Sequence, residues 1–146
     1  MPLTLSIVTA DRTVLERDDV LRLVVPTTEG QITLLPSHAP LMASLSIGEM
    51  IVHVPDGPIP LAIHGGFIQI VRDDVSVLAD AAEHADEIDE ARAEAARERS
   101  RGRIEGRVPV EAGAVDILRA QLSLQRSLIR LRVRRRRSAT GVPTMR

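Results

Sequence analysis

The stretch 75–93 divides the chain into two kinds of sequence and limits the folds open to it. Before it, apolar and polar residues alternate with a period near two, and Pro or Gly interrupts every few positions, the pattern of short β-strands joined by close turns. After it no Pro occurs until Pro109, and the residues are mainly Ala, Glu, Arg and Asp, of which all but Asp favour helix. A strand is therefore expected to run straight into a helix. The 146 residues suit one domain with an appendage, or two small units.

Strand signals fall at 3–7, 13–15, 20–25, 31–35, 49–54, 61–63, 67–71 and 75–78, with Pro26 stopping the third and Pro55-Asp56-Gly57-Pro58 turning the chain between the fifth and sixth. So many short strands imply a sandwich or flattened barrel, each sheet burying the other's apolar face. Pro36 and Pro40 rule out a helix between them. Gly65-Gly66 permits positive φ or a close approach beside Phe67, which is read as a packing residue. Past the division, a first helix is expected over 88–101, ending near Gly102, with Asp86 or Glu87 at the positive end of its dipole. A loop through Gly106, Pro109 and Gly113 leads to a second helix over 114–134. Ile117, Leu124, Leu128 and Leu131, with Leu118, Leu122 and Ile129, form its apolar stripe. Two such helices read as an antiparallel hairpin.

Composition removes several kinds of chemistry. There is no Cys, and all nineteen basic residues are Arg, so thiolate chemistry, a Walker-type phosphate loop and a catalytic Lys are excluded. A single aromatic, Phe67, leaves no base-stacking platform. His38, His53, His64 and His84 show no metal-ligand spacing, and Ser37-His38 is not a nucleophile–base arrangement; His38 is read as an exposed loop residue. The start of the chain lacks signal-peptide features and no apolar run approaches the ~20 residues of a membrane span, so a soluble, cytoplasmic protein is expected. Net charge is −1, but residues 1–82 carry four Arg against ten acids, and 83–146 carry fifteen against ten. The two ends should meet different partners. Arg119, Arg126, Arg130, Arg134 and Arg137 share one helical face, which suits either an anionic partner or acids of the first helix.

The ordered landmarks Gly30-Gln31-Ile32-Thr33-Leu34-Leu35-Pro36-Ser37-His38-Ala39-Pro40-Leu41, Gly48, Gly65-Gly66-Phe67, 75–82 and Ile88-Asp89-Glu90-Ala91-Arg92-Ala93 resemble the epsilon-chain family of the bacterial F-type ATP synthase. The resemblance implies a flattened ten-stranded β-sandwich over 1–84 and an antiparallel two-helix hairpin over 85–137; the residues themselves make 138–146 an expected disordered tail. It implies a non-catalytic stalk subunit, peripheral on the cytoplasmic face of the membrane and joined to it only through the complex. The sandwich would bind the gamma chain and the c-subunit ring, with Glu29, Gly30, Gln31 and His38 near those contacts. The hairpin would reach the alpha and beta chains of the catalytic head through cations such as Arg119 and Arg134, and would inhibit ATP hydrolysis. No cofactor or metal is required. ATP is implied as a regulatory ligand, with Ile88, Asp89, Arg92 and Ala93 as the motif and Glu83, Arg99, Arg126 and Arg130 as further site positions. The alternatives are a β-sandwich module that binds nucleic acid through its Arg-rich C-terminus, which the acidic sandwich and lack of stacking aromatics disfavour, and a small hydrolase, which lacks a nucleophile–base pair.

Overall fold

Period-two apolar residues along the first half of the chain produce eight strands in the computed structural model, which describes residues 2–105 and 113–140, with 113–116 and 137–140 described by backbone alone. These are β1 (Leu3–Val8), β2 (Thr13–Val20), β3 (Arg22–Thr27), β4 (Gly30–Leu34), β5 (Leu41–Val54), β6 (Gly57–Val71), β7 (Asp74–Ala79) and β8 (Ala82–His84). They hydrogen-bond in the order β2-β1-β7-β6-β5-β3-β4, and β8 pairs with β6. β5 and β6 are 14 and 15 residues long; β5 pairs with β6 along its whole length, and β6 changes its other neighbour on the way. β6 pairs with β8 through 61–63 and with β7 through 66–71. Counted by halves, these two strands bring the eight to the ten expected. Their bends fold the sheet over on itself, so that β2 and β4, at its two ends, both contribute side chains to one core with Leu5, Leu23, Met50, Leu61 and Ile70.

Two glycines make the bends possible. Gly66 has φ +122°, and a Cβ there would lie 2.2 Å from the Leu78 carbonyl oxygen. A Cβ on Gly48 would lie 2.5 Å from Pro26 Cβ. That contact explains one correction. β3 continues through Pro26, because the β3–β5 register shifts between Val24 and Thr27, and an absent N–H is tolerated at such an irregularity.

Phe67 is a second correction. It lies 59% exposed, on the outer face of β6 opposite Leu78 and Ser44, while Ile68 and Ile70 fill the core. Its place in the alternation, not its hydrophobicity, sets which way it points.

The expected passage from strand straight into helix is also replaced. After β7 come β8 and a 3-10 turn (Ala85–Glu87), and only then α1 (Glu90–Ile104). The N-cap is Asp89, whose carboxylate accepts from the Arg92 backbone N–H at 3.1 Å, so the helix begins two residues later than expected and runs past Gly102. α2 (Gly113–Thr140) continues beyond residue 134, and Ser138–Thr140, expected in a disordered tail, lie in it. The expected tail 141–146 and loop positions Gly106 and Pro109 lie outside the described residues.

The helices pack through small side chains. Ala93, Ser100 and Gly102 of α1 and Ala120 and Ser127 of α2 are buried, while Ile117, Leu118 and Leu128 of the expected apolar stripe are exposed. Close approach of two backbones favours small residues at the contact, while Leu131 of the expected stripe is buried and Ile129 packs at the junction. Arg135 lies 3.5 Å from both Glu90 and Glu94, which sets the end of α2 beside the start of α1, antiparallel. None of the described helices is long and apolar enough to cross a membrane.

Candidate functional site at the junction of sandwich and hairpin

The hairpin touches the sandwich through a small apolar seat. Ala62 of β6, Ala85 and Ile88 of the connecting segment and Val133 of α2 are buried together, with Ile129 packed against them. Around the seat lie ion pairs. Arg130 donates from Nε to Glu83 Oε2 at 2.6 Å, Arg136 meets Glu49 through Nε and Nη2, each at 2.8 Å, and Arg134 donates to the Ala85 carbonyl at 3.2 Å. Arg12, in the β1–β2 turn, clamps Glu87 with two bonds of 2.8 and 2.7 Å. That hydrogen bond raises the Arg12 pKa, and with the Arg12 charge it holds the Glu87 carboxyl below its ordinary range.

Glu83 is the electrostatic centre of the junction. Burial alone would push its pKa up, but the His64 imidazole beneath it and the hydrogen bond and charge of Arg130 outweigh that and hold it at about 2. His64 Nε2 lies 3.6 Å from Glu83 Oε2, too long for a hydrogen bond, so its influence on the carboxylate is electrostatic.

Beside this pair a cleft of about 520 Å³ opens between the connecting segment and α1. Seven of the eight expected nucleotide residues line it: Glu83, Ile88, Asp89, Arg92, Ala93, Arg99 and Arg130. Arg126 does not. It sits half-buried on α2, and its Nε is buried with no hydrogen-bond partner among the described residues. Arg92 and Arg99 are exposed at the cleft, so their charges face open water. One oxygen of Asp89 is engaged by the helix start, and Arg130 is engaged by Glu83. An anion entering the cleft would meet two exposed guanidiniums and compete with Glu83 for a third.

The residues expected at subunit contacts are dispersed. Glu29, Gly30 and Gln31 are exposed at the β3–β4 turn. His38 lies beyond the other end of β4 and is half-buried, not exposed as expected, with Nδ1 2.6 Å from the Ala39 carbonyl oxygen. Arg119 is exposed on α2, and Arg134 is bound at the junction.

Three features escape a reading of the sequence. Glu49 and Arg136 pair across 87 residues of chain, and nothing local marks either. His64 under Glu83 depends on the pairing of β8 with β6. The exposed patch of Phe67, Leu78, Met42 and Val71 on the outer sheet face does leave a signal, since Phe67, Gln69 and Val71 share one parity against the buried Ile68 and Ile70. Exposed apolar side chains grouped on one sheet face make that face a candidate contact surface.

Comparison with known proteins agrees with this architecture. Residues 2–85 match the family described as ATP synthase, Delta/Epsilon chain, beta-sandwich domain, and 86–134 match its long alpha-helix domain. The chain is 42% identical over 134 residues to the ATP synthase epsilon chain of Herpetosiphon aurantiacus, covering 91% of this chain and 94% of that one. It is 43% identical over 133 residues to that of Chloroflexus aggregans, covering 91% and 92%. Among solved structures, a chain of the Euglena gracilis mitochondrial ATP synthase (OSCP/F1/c-ring) superposes with TM-score 0.71 at 23% identity, covering 85% of this chain and 76% of that one, a likeness of fold. The chain therefore belongs to the epsilon-chain family of the F-type ATP synthase.

Proposed function

We propose that the sandwich transmits rotation between the c-subunit ring and the gamma chain, and that the hairpin is a detachable inhibitor of ATP hydrolysis whose docked state responds to ATP. The observation that carries this reading is the separation of the two cores. Among the described residues the large cluster of the sandwich includes none from either helix, whereas the hairpin meets the sandwich through a cluster of four buried residues and a set of ion pairs. Such a contact can open without unfolding what lies beneath it. The exposed Phe67 patch is the surface best suited to a protein partner, and the gamma chain is placed there in this reading. The cleft supports the ATP reading, since Arg92, Arg99 and Arg130 surround it within one hairpin.

Deleting the chain from Asp86 onward in the assembled complex tests the inhibitory part. The expected result is normal assembly with a rise in ATP hydrolysis; unchanged hydrolysis would overturn it. Titration of the full chain with ATP tests the nucleotide part. A micromolar dissociation constant, about 8 kcal/mol, should weaken on Arg92→Ala, Arg99→Ala substitution, since both line the cleft, and equal binding would remove the site. Only the share of that energy specific to the docked hairpin can shift its equilibrium.

A further inference from the structure

We infer that the docked hairpin is held by a clasp whose three teeth on α2 are spaced to match three strands of the sheet. Glu49 of β5 stands opposite Ala62 of β6, and Ala62 stands opposite Glu83 of β8. The three side chains therefore form one row across the sheet, acid, small apolar, acid, on a single face. Above them α2 presents Arg136, Val133 and Arg130, three residues apart. Arg136 binds Glu49 with two bonds of 2.8 Å, Arg130 binds Glu83 at 2.6 Å, and Val133, 0% exposed, is buried with Ala62 between them.

The fit is metrical. Six residues of helix advance about 9 Å, and two strand spacings in the hydrogen-bonding direction span about 9.6 Å. The helix therefore crosses the strands with its cations in step with their carboxylates, and the long Arg side chains absorb the small difference. Sliding α2 by a fraction of a turn would leave both carboxylates short of their partners. Glu49 keeps only 9% of its side-chain surface exposed, so leaving it unpaired is the costlier failure. The clasp makes docking a discrete state, and it weakens with salt because the Arg partners remain partly in water. Arg136 lies beyond residues 86–134, the stretch matched by the family's helical domain.

The clasp is a property of the isolated chain, and only its consequence for ATP hydrolysis rests on the inhibitory reading above. The chain has no Cys, so Val133→Cys supplies a single thiol that a maleimide reaches only when the hairpin lifts. Its labelling rate should rise about tenfold on Arg136→Gln and should rise with NaCl in the parent. The swap Glu49→Arg with Arg136→Glu should bring the rate back to within about threefold. An Ile63→Cys thiol in the sandwich core, labelled in parallel, should not respond, which separates lifting from unfolding. An unchanged Val133→Cys rate in Arg136→Gln, or failure of the swap to restore it while Ile63→Cys stays protected, would overturn the clasp. If labelling responds but hydrolysis by the complex carrying Arg136→Gln does not, the clasp stands and the inhibitory reading falls.

Discussion

Replacing Glu83 by Gln should destabilise the chain at neutral pH and hardly at all in acid. In the folded chain the Glu83 carboxyl titrates at about 2, against an ordinary value of 4.5. At about 1.4 kcal/mol per pH unit the difference amounts to about 3 kcal/mol of linkage. The side chains of Glu83 and Arg130 keep 28% and 33% of their surface exposed, so screening reduces the net to about 1–2 kcal/mol. Because the folded value is depressed, this stability is present above about pH 4.5 and is lost as pH falls through 4.5 toward 2. Urea unfolding followed by circular dichroism at 222 nm, which reads the helices, provides the assay. Parent and Glu83→Gln should differ by about 1–2 kcal/mol at pH 6 and by less than about 0.5 kcal/mol at pH 2.5. A deficit of equal size at both pH values would show that packing, not charge, is lost, and an absent deficit at pH 6 would refute the reasoning.

Further substitutions probe the other devices. Asp89→Ala removes the N-cap of α1 and should cost about 1 kcal/mol, read as faster amide exchange confined to the first turn of that helix. Gly66→Ala forces a side chain into the Leu78 backbone at positive φ and should destabilise the sandwich by about 2 kcal/mol or more, measured by thermal unfolding. Phe67→Ser with Leu78→Ser should leave the melting temperature of the free chain almost unchanged, since both residues are exposed, while weakening its assembly with the gamma chain about tenfold in a binding titration.

As a member of this family the chain is a central-stalk subunit of the ATP synthase, and not itself a catalyst. A chain without Lys or Cys lacks two of the side chains most used for covalent catalysis and phosphate capture, which accords with that role. The stalk role also gives the uneven charge a physical setting. In the docked state, cations at the end of α2 meet carboxylates of the sandwich and of α1. Any partner that draws the hairpin away must compete with these contacts.

The alternation that makes strands, the helix composition after residue 88, the turn at Pro55-Asp56 and the local motif from Ile88 to Ala93 are all legible in the linear chain. Each follows from periodicity or backbone chemistry within a few residues. Phe67, Pro26 and part of the apolar stripe of α2 are misread at that level, because each depends on what lies across a sheet or beside a helix. Pro26 is tolerated because the β3–β5 register shifts there, and Ile117, Leu118 and Leu128 point outward while Leu131 of the same stripe is buried. The row Glu49, Ala62, Glu83 exists only in the folded chain. Its members come from three strands whose register is set by the bend at Gly66 and by the buried faces of the sandwich. Only once that register exists can Arg130, Val133 and Arg136, three residues apart on a helix, find partners about one strand apart on a sheet.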